Sequence, residues 1–154
     1  MQTSKLRYIL TETAISVAIN VLLSEAFAWL IFHAVNPVPA PAILRDAIPQ
    51  TVMVAFMGSL VPGLITRARL RTGQIPRFPS AIFFIRNPFF RALTLALVAV
   101  LVGVPSCAFL IPSLWPQGLI FSSLLWMKGM YGALVAALIT PVAVSSALSE
   151  DVNS

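Results

Sequence analysis

Long apolar stretches with almost no charged residues are the main constraint on how this sequence folds. In residues 126–140, a single cation, Lys128, lies inside an apolar segment long enough to cross a membrane. Hydrophobic residues make up 58% of the 154 residues and charged residues 10%, which leaves too little polar surface to cover a soluble globule. A membrane-spanning helix needs about 20 apolar residues, so the chain has room for four spans joined by short loops. We expect an all-α, integral membrane four-helix bundle that forms a single transmembrane domain over residues 1–154.

Proline-rich and basic segments separate the predicted spans. The spans cover about residues 8–33, 47–66, 88–111 and 119–141. The pattern predicts Asp46 as the N-cap of the second helix, and Asn87 as the N-cap of a third helix that begins at Pro88. Pro141 is expected to bend or end the fourth helix. The first span begins like a signal peptide, but polar residues interrupt its apolar core, so we expect an uncleaved helix.

Part of the sequence is repeated. Residues 58–66 and 132–140 share the glycine, the Leu-Val pair and the Leu-Ile-Thr ending. The match predicts two related helical hairpins of the same orientation. Such parallel repeats are related by an axis along the membrane normal.

Basic residues cluster on one side of the predicted bundle. Lys5 and Arg7 precede the first span, and a basic loop over residues 67–87 joins the second and third spans. The positive-inside rule then places both termini and this loop in the cytoplasm, and we expect a bacterial inner membrane. The arginines expected to bind anionic lipid headgroups are Arg67, Arg69, Arg71, Arg77, Arg86 and Arg91. Nucleic-acid binding is not expected, because no soluble surface interleaves basic and aromatic residues.

Small residues lie along one face of several predicted helices. They allow helix backbones to approach closely, which is how helices associate in a bilayer. The positions expected to pack are Gly58, Gly63, Gly103, Gly129, Gly132 and Ala136. We expect the faces not used within the chain to meet a membrane partner subunit or a second copy.

Glu25 and Lys128 are charged residues inside predicted spans. Counting 1.5 Å per residue places them about 12 and 13 Å inside the outer ends of their helices. A charge at such depth is costly and needs a partner. We therefore predict an ion pair between the first and fourth helices, with Asn20 and Ser24 adding hydrogen bonds.

The first helix also carries a polar stripe at every fourth residue. Ala14, Ala18 and Glu25 lie on an adjoining face, so only a narrow side is left for lipid, and we expect the first helix to lie at the centre of the bundle. The stripe consists of Glu12, Ser16, Asn20 and Ser24.

The sequence has no pattern typical of an enzyme. It has one histidine and one cysteine, and no metal-ligand spacing, nucleophile motif or glycine-rich phosphate loop. We expect no catalysis, metal or cofactor.

Two non-enzymatic functions fit the sequence. The favoured one is an accessory or assembly subunit, or a self-associating membrane protein, in which the Glu25–Lys128 pair is a structural clamp. The alternative is a small oligomeric transporter or permeation unit in which this pair forms a relay or binding site. Closely packed small residues favour the first function, because they leave little room for a cavity.

Overall fold

The computed structural model describes residues 2–78, 85 and 87–150, and four long helices make up most of this part of the chain. The helices are α1 (Gln2–Phe32), α2 (Ala40–Arg71), α3 (Pro88–Leu114) and α4 (Phe121–Leu148). Each is long and apolar enough to cross a membrane. The all-α class is confirmed, and the apolar helices indicate an integral membrane protein.

Several helix ends differ from the predicted ones. α1 begins at Gln2 and α2 ends at Arg71, so the first five residues of the predicted basic loop belong to α2. α2 begins at Ala40, directly after the extended backbone of Pro39, so Asp46 lies inside the helix and its assignment as N-cap is wrong. A proline near the start of a helix is tolerated there because the first N–H groups have no intrahelical partner. α4 continues through Pro141 to Leu148. The predicted start of α3 is confirmed, since the side chain of Asn87 accepts a hydrogen bond from the backbone N–H of Phe89 at 2.9 Å.

The helices pack in an order that differs from their order in the chain. α1 packs along α4, α4 along α2, and α2 along α3, whereas the two helices of each hairpin touch only slightly. α4 is the most enclosed helix and α3 the least. The expected central position of α1 is therefore wrong. Its polar stripe faces α4, with Gly58 and Arg69 of α2 beside it. Its other faces expose large apolar side chains such as Ile19 and Leu22.

The α1–α2 and α3–α4 connections are joined at one end of the bundle, called here the connector end. The backbones of Val38 and Leu119 exchange two hydrogen bonds, of 2.8 and 3.0 Å, as an antiparallel bridge. Gly118 beside them has a φ of +89°, and a Cβ there would collide with the Val38 carbonyl, so the turn requires glycine. These bonds hold the two hairpins together at this end.

Candidate functional site

Lys128 lies at the centre of a small polar cluster near the connector end. It is 2% exposed. Its ammonium group pairs with the carboxylate of Asp46 and donates a hydrogen bond of 2.8 Å to Oε1 of Gln50. Gln50 also donates through Nε2 to the carbonyl of Lys128 at 3.4 Å. The Nζ atom lies 5.6 Å from the ring centre of Phe32, so three helices surround this charge.

The predicted pairing of Lys128 with Glu25 is wrong. Glu25 is half-buried on α1 and lies against Gly129 of α4, and it has no ion-pair partner among the described residues. Depth in the structure does not distinguish the two acids, because helical rise places Asp46 about 9 Å, and Glu25 and Lys128 about 10.5 Å, from the connector ends of their helices. The sequence signal for the true cluster is the spacing of Asp46 and Gln50, which lie one turn apart on the same face of α2.

A ladder of buried polar side chains runs along α1 from this level towards the opposite end. The Nδ2 atom of Asn20 donates to the carbonyl of Ser16 at 2.8 Å. The hydroxyl of Thr140 on α4 lies 2.8 Å from the Ser16 hydroxyl and 3.0 Å from the carbonyl of Gly58. The α1 part of the ladder is about 18 Å long at 1.5 Å per residue. Its members on α1 are Glu12, Ser16, Asn20 and Ser24, all buried.

Asn20 and Ser24 therefore belong to the ladder and do not bond to Lys128. The side-chain carbonyl of Asn20 has no hydrogen-bond partner among the described residues. The Ser24 hydroxyl is buried without a partner within the same residues, and it lies against Gly132 of α4. This stretch of α1 thus has unused hydrogen-bonding capacity at membrane depth.

At the end opposite the connectors, called here the basic end, ion pairs join the helices. The carboxylate of Glu150 accepts a hydrogen bond of 2.7 Å from Arg91 and lies 3.2 Å from Nε of Arg67. Arg69 pairs with Glu12, and its guanidinium also donates to the Tyr8 hydroxyl at 3.2 Å. Two acidic groups of the protein itself therefore pair with these three arginines.

These contacts change the interpretation of the arginines expected at lipid headgroups. Arg91 is only 1% exposed, so it is enclosed by protein and is not available to a headgroup. Arg77 donates to the carbonyl of Ser149 at 3.1 Å, which holds the segment after α2 against the end of α4. Arg71 is exposed, and Arg86 lies outside the described residues.

The predicted packing residues contact other helices of the same chain. Five of the six are buried, namely Gly58, Gly63, Gly129, Gly132 and Ala136. Gly63 lies against the guanidinium of Arg91, and the half-buried Gly103 lies against the hydroxyl of Tyr131. These small residues are therefore used within the chain, and the described structure does not leave them as a free face for a partner.

Two clefts lie between the helices, so the expectation of little room for a cavity is wrong. The α1–α2 cleft has a volume of about 300 Å³, and its polar lining residues are Asn20, Ser24, Asp46 and Gln50. The α3–α4 cleft has a volume of about 700 Å³, and its lining includes Gln50, Cys107, Lys128 and Tyr131. Apolar side chains form the rest of both walls. The Asp46–Lys128 pair thus lies between two mainly apolar clefts.

The chemistry available here is charge neutralisation and hydrogen bonding within an apolar surrounding. No group of three or more His, Cys, Asp or Glu side chains that could hold a metal occurs among residues 2–78, 85 and 87–150. Comparisons of this chain with known protein families, curated proteins and solved structures gave no match.

Proposed function

We propose that this protein is a small, non-enzymatic membrane transporter or permeation unit. The observation that carries the proposal is the Asp46–Lys128 pair, which lies between two clefts at membrane depth. Ionisable residues inside spans are costly, and they commonly mark the pathway of a substrate or an ion. Cleft volumes of about 300 and 700 Å³ fall in the range of small-molecule sites.

The polar ladder supports the same function. The ladder extends the line of buried polar side chains from the level of Asn20 to Glu12 near the basic end, through a region that is otherwise apolar. Glu25 adds a half-buried carboxyl group with no ion-pair partner in the described part of the chain. Such a group can change protonation without breaking an internal ion pair, which suits it to coupling solute movement to protons.

In the proposed topology the protein lies in a bacterial inner membrane, with both termini and the basic loop in the cytoplasm.

The packing of the helices supports a parallel repeat. Exchanging the first hairpin for the second turns the α1–α4 contact into the α3–α2 contact and leaves the α2–α4 contact in place. A reporter fused to the C-terminus should therefore report from the cytoplasm, and a signal from the outer side would contradict the topology.

The transport proposal is tested with purified protein in vesicles that contain a pH-sensitive dye. We expect addition of a transported solute to cause proton movement, and the Glu25→Gln protein to lose at least about nine-tenths of this signal, as expected for loss of an essential proton carrier. Thr94→Val is the matched control, since Thr94 is half-buried on α3 and bonds only to its own helix backbone. A panel of organic cations, anions and neutral solutes that gave no protein-dependent signal would contradict the proposal.

An accessory or self-associating function is the second candidate. It is favoured by α3, the least enclosed helix, which exposes large apolar side chains such as Leu101 and Phe109. Purification in native lipid with determination of the particle mass separates the two functions. A stoichiometric foreign subunit would support the accessory function, whereas a pure oligomer or monomer would support transport.

A further inference from the structure

The α1–α2 cleft has a mainly apolar wall and a short polar floor. Apolar side chains of both helices, including Leu23, Phe27 and Met53, form the wall. The floor is formed by Asn20, Ser24, Asp46 and Gln50. A molecule that fills this cleft must therefore combine an apolar part with one small polar group.

The hydrogen bonds already made inside the protein determine which polar group fits. The Asn20 amide N–H groups bond to the carbonyl and hydroxyl of Ser16, and Oε1 of Gln50 accepts from Lys128. Within the described residues, two groups of the cleft floor keep unused accepting capacity: one carboxylate oxygen of Asp46 and the side-chain carbonyl of Asn20. The Ser24 hydroxyl also lacks a partner, but it is fully enclosed against Gly132 of α4 and does not reach the cleft. The Gln50 amide retains one free N–H, so acceptors outnumber donors.

The charges at this level favour a cation. Asp46 is the only charged residue in the described lining of the cleft, and neither Lys128 nor Glu25 lines it. The exposed Arg45 next to Asp46 does not line the cleft. An anion would lack a free cationic donor here, because the Lys128 ammonium is already held by Asp46 and Gln50.

We propose that the α1–α2 cleft binds a lipophilic ammonium ion, that is, a protonated primary or secondary amine with a short apolar tail. Its N–H groups donate to the free acceptors on the cleft floor, and its tail packs on the apolar wall. This site names the class of solute for the proposed transporter. Binding of the amine does not depend on the proposed function, but its movement across the membrane does.

Binding is measured by tryptophan quenching in phosphatidylcholine nanodiscs. The reporter protein carries Phe27→Trp in the cleft wall, with the three native tryptophans replaced by phenylalanine. The probe is 6-bromohexylammonium, whose bromine quenches a nearby indole. The matched probes are 6-bromohexanol, 6-bromohexanoate and 6-bromohexyltrimethylammonium, which lack the charge, reverse it, or lack N–H donors. A second protein keeps only Trp126, which is 72% exposed and lines neither cleft, and it reports probe dissolved in lipid.

We expect saturable quenching of the cleft reporter by the ammonium probe, with an affinity about tenfold or more above that of each matched probe, as charge-assisted hydrogen bonds imply. The Trp126 reporter should respond to all four probes without saturation. Equal quenching of the cleft reporter by the alcohol and the ammonium would overturn the site. Tighter binding of 6-bromohexanoate than of the ammonium probe would show that the site prefers an anion, which would contradict the proposal.

Two variants test whether the groups around the cleft floor bind the amine. Ser24→Ala is the control, because it removes an enclosed hydroxyl that does not reach the cleft, and it should leave helicity, unfolding and binding unchanged. Glu25→Gln breaks no ion pair, and should weaken binding about fivefold through the loss of one nearby charge. Unchanged affinity in the Glu25→Gln variant would contradict the assignment.

The binding experiment and the transport experiment can each give a negative result without the other. Binding is measured without a gradient, so saturable binding with no proton movement would keep the site and remove the transport function. Movement of a different solute with no amine binding would keep transport and remove this site.

Discussion

Neutralising Asp46 and Lys128, separately and together, tests whether this ion pair holds α2 to α4. Asp46→Asn leaves the ammonium of a 2%-exposed lysine without its counter-charge. Lys128→Met leaves the Asp46 carboxylate unpaired and also removes the hydrogen bond to Gln50. The double variant contains neither charge, so it has no unpaired ion.

The magnitude follows from the cost of an unpaired charge within a span. Insertion scales give about 3 kcal/mol for a charged side chain at the centre of a membrane helix, and breaking a buried pair costs about 3–5 kcal/mol. Each single variant should therefore lose about 3 kcal/mol of unfolding free energy. The double variant should lie within about 1 kcal/mol of the native protein, because replacing both charges avoids the penalty. The expected coupling energy is thus about 5 kcal/mol.

The assay is equilibrium unfolding in mixed micelles. Increasing the fraction of dodecyl sulfate in a mild detergent unfolds the helices, and circular dichroism at 222 nm follows the change. Fitting a linear dependence of free energy on this fraction gives the four values of the cycle. Refolding by dilution into mild detergent shows that the measurement is at equilibrium.

The second cycle, with Glu25→Gln and Lys128→Met, is the matched control. Glu25 lies about as deep as Asp46 but does not pair with Lys128, so its effect should add to that of Lys128→Met. Additive losses in the Asp46–Lys128 cycle would refute the importance of this pair. Strong coupling in the Glu25–Lys128 cycle would show that Glu25 is the functional counter-charge.

Two further predictions concern helix packing and the basic end. Gly132→Ala should lower the unfolding free energy by about 2 kcal/mol, because the added Cβ would meet the Ser24 hydroxyl and a backbone carbonyl, as overpacked cores show. Gly58→Ala, at the matching repeat position, should change the unfolding free energy by less than about 1 kcal/mol in the same assay. The nearest atom to the added Cβ would be Nδ2 of Asn20, at 3.7 Å. Glu150→Gln should cost about 3 kcal/mol by removing the partner of the buried Arg91, and faster hydrogen exchange at the start of α3 would reveal the loss. Equal effects of the two glycine substitutions, or unchanged exchange in the Glu150 variant, would contradict these contacts.

The number of helices was predictable because it depends on local properties. Apolar runs of sufficient length separated by prolines and arginines are enough to predict four spans, and Asn87-Pro88 is enough to place the start of α3. The start of α2 was harder, because alternating prolines favour an extended backbone as much as a first helical turn. The same ambiguity made Asp46 a candidate N-cap and hid it as a partner for Lys128.

The neighbours of each helix could not be predicted in the same way, because they depend on which faces fit together. A short connection favours packing between successive helices, yet α1 and α2 hardly touch. α1 packs on α4 instead, where the Ser16 and Thr140 hydroxyls bond and Gly132 leaves room for Ser24. The Val38–Leu119 bridge joins the two hairpins without closing the space within either of them. The clefts therefore arise because α1 fits α4 better than it fits α2, a comparison between surfaces that hydropathy and helical periodicity do not describe.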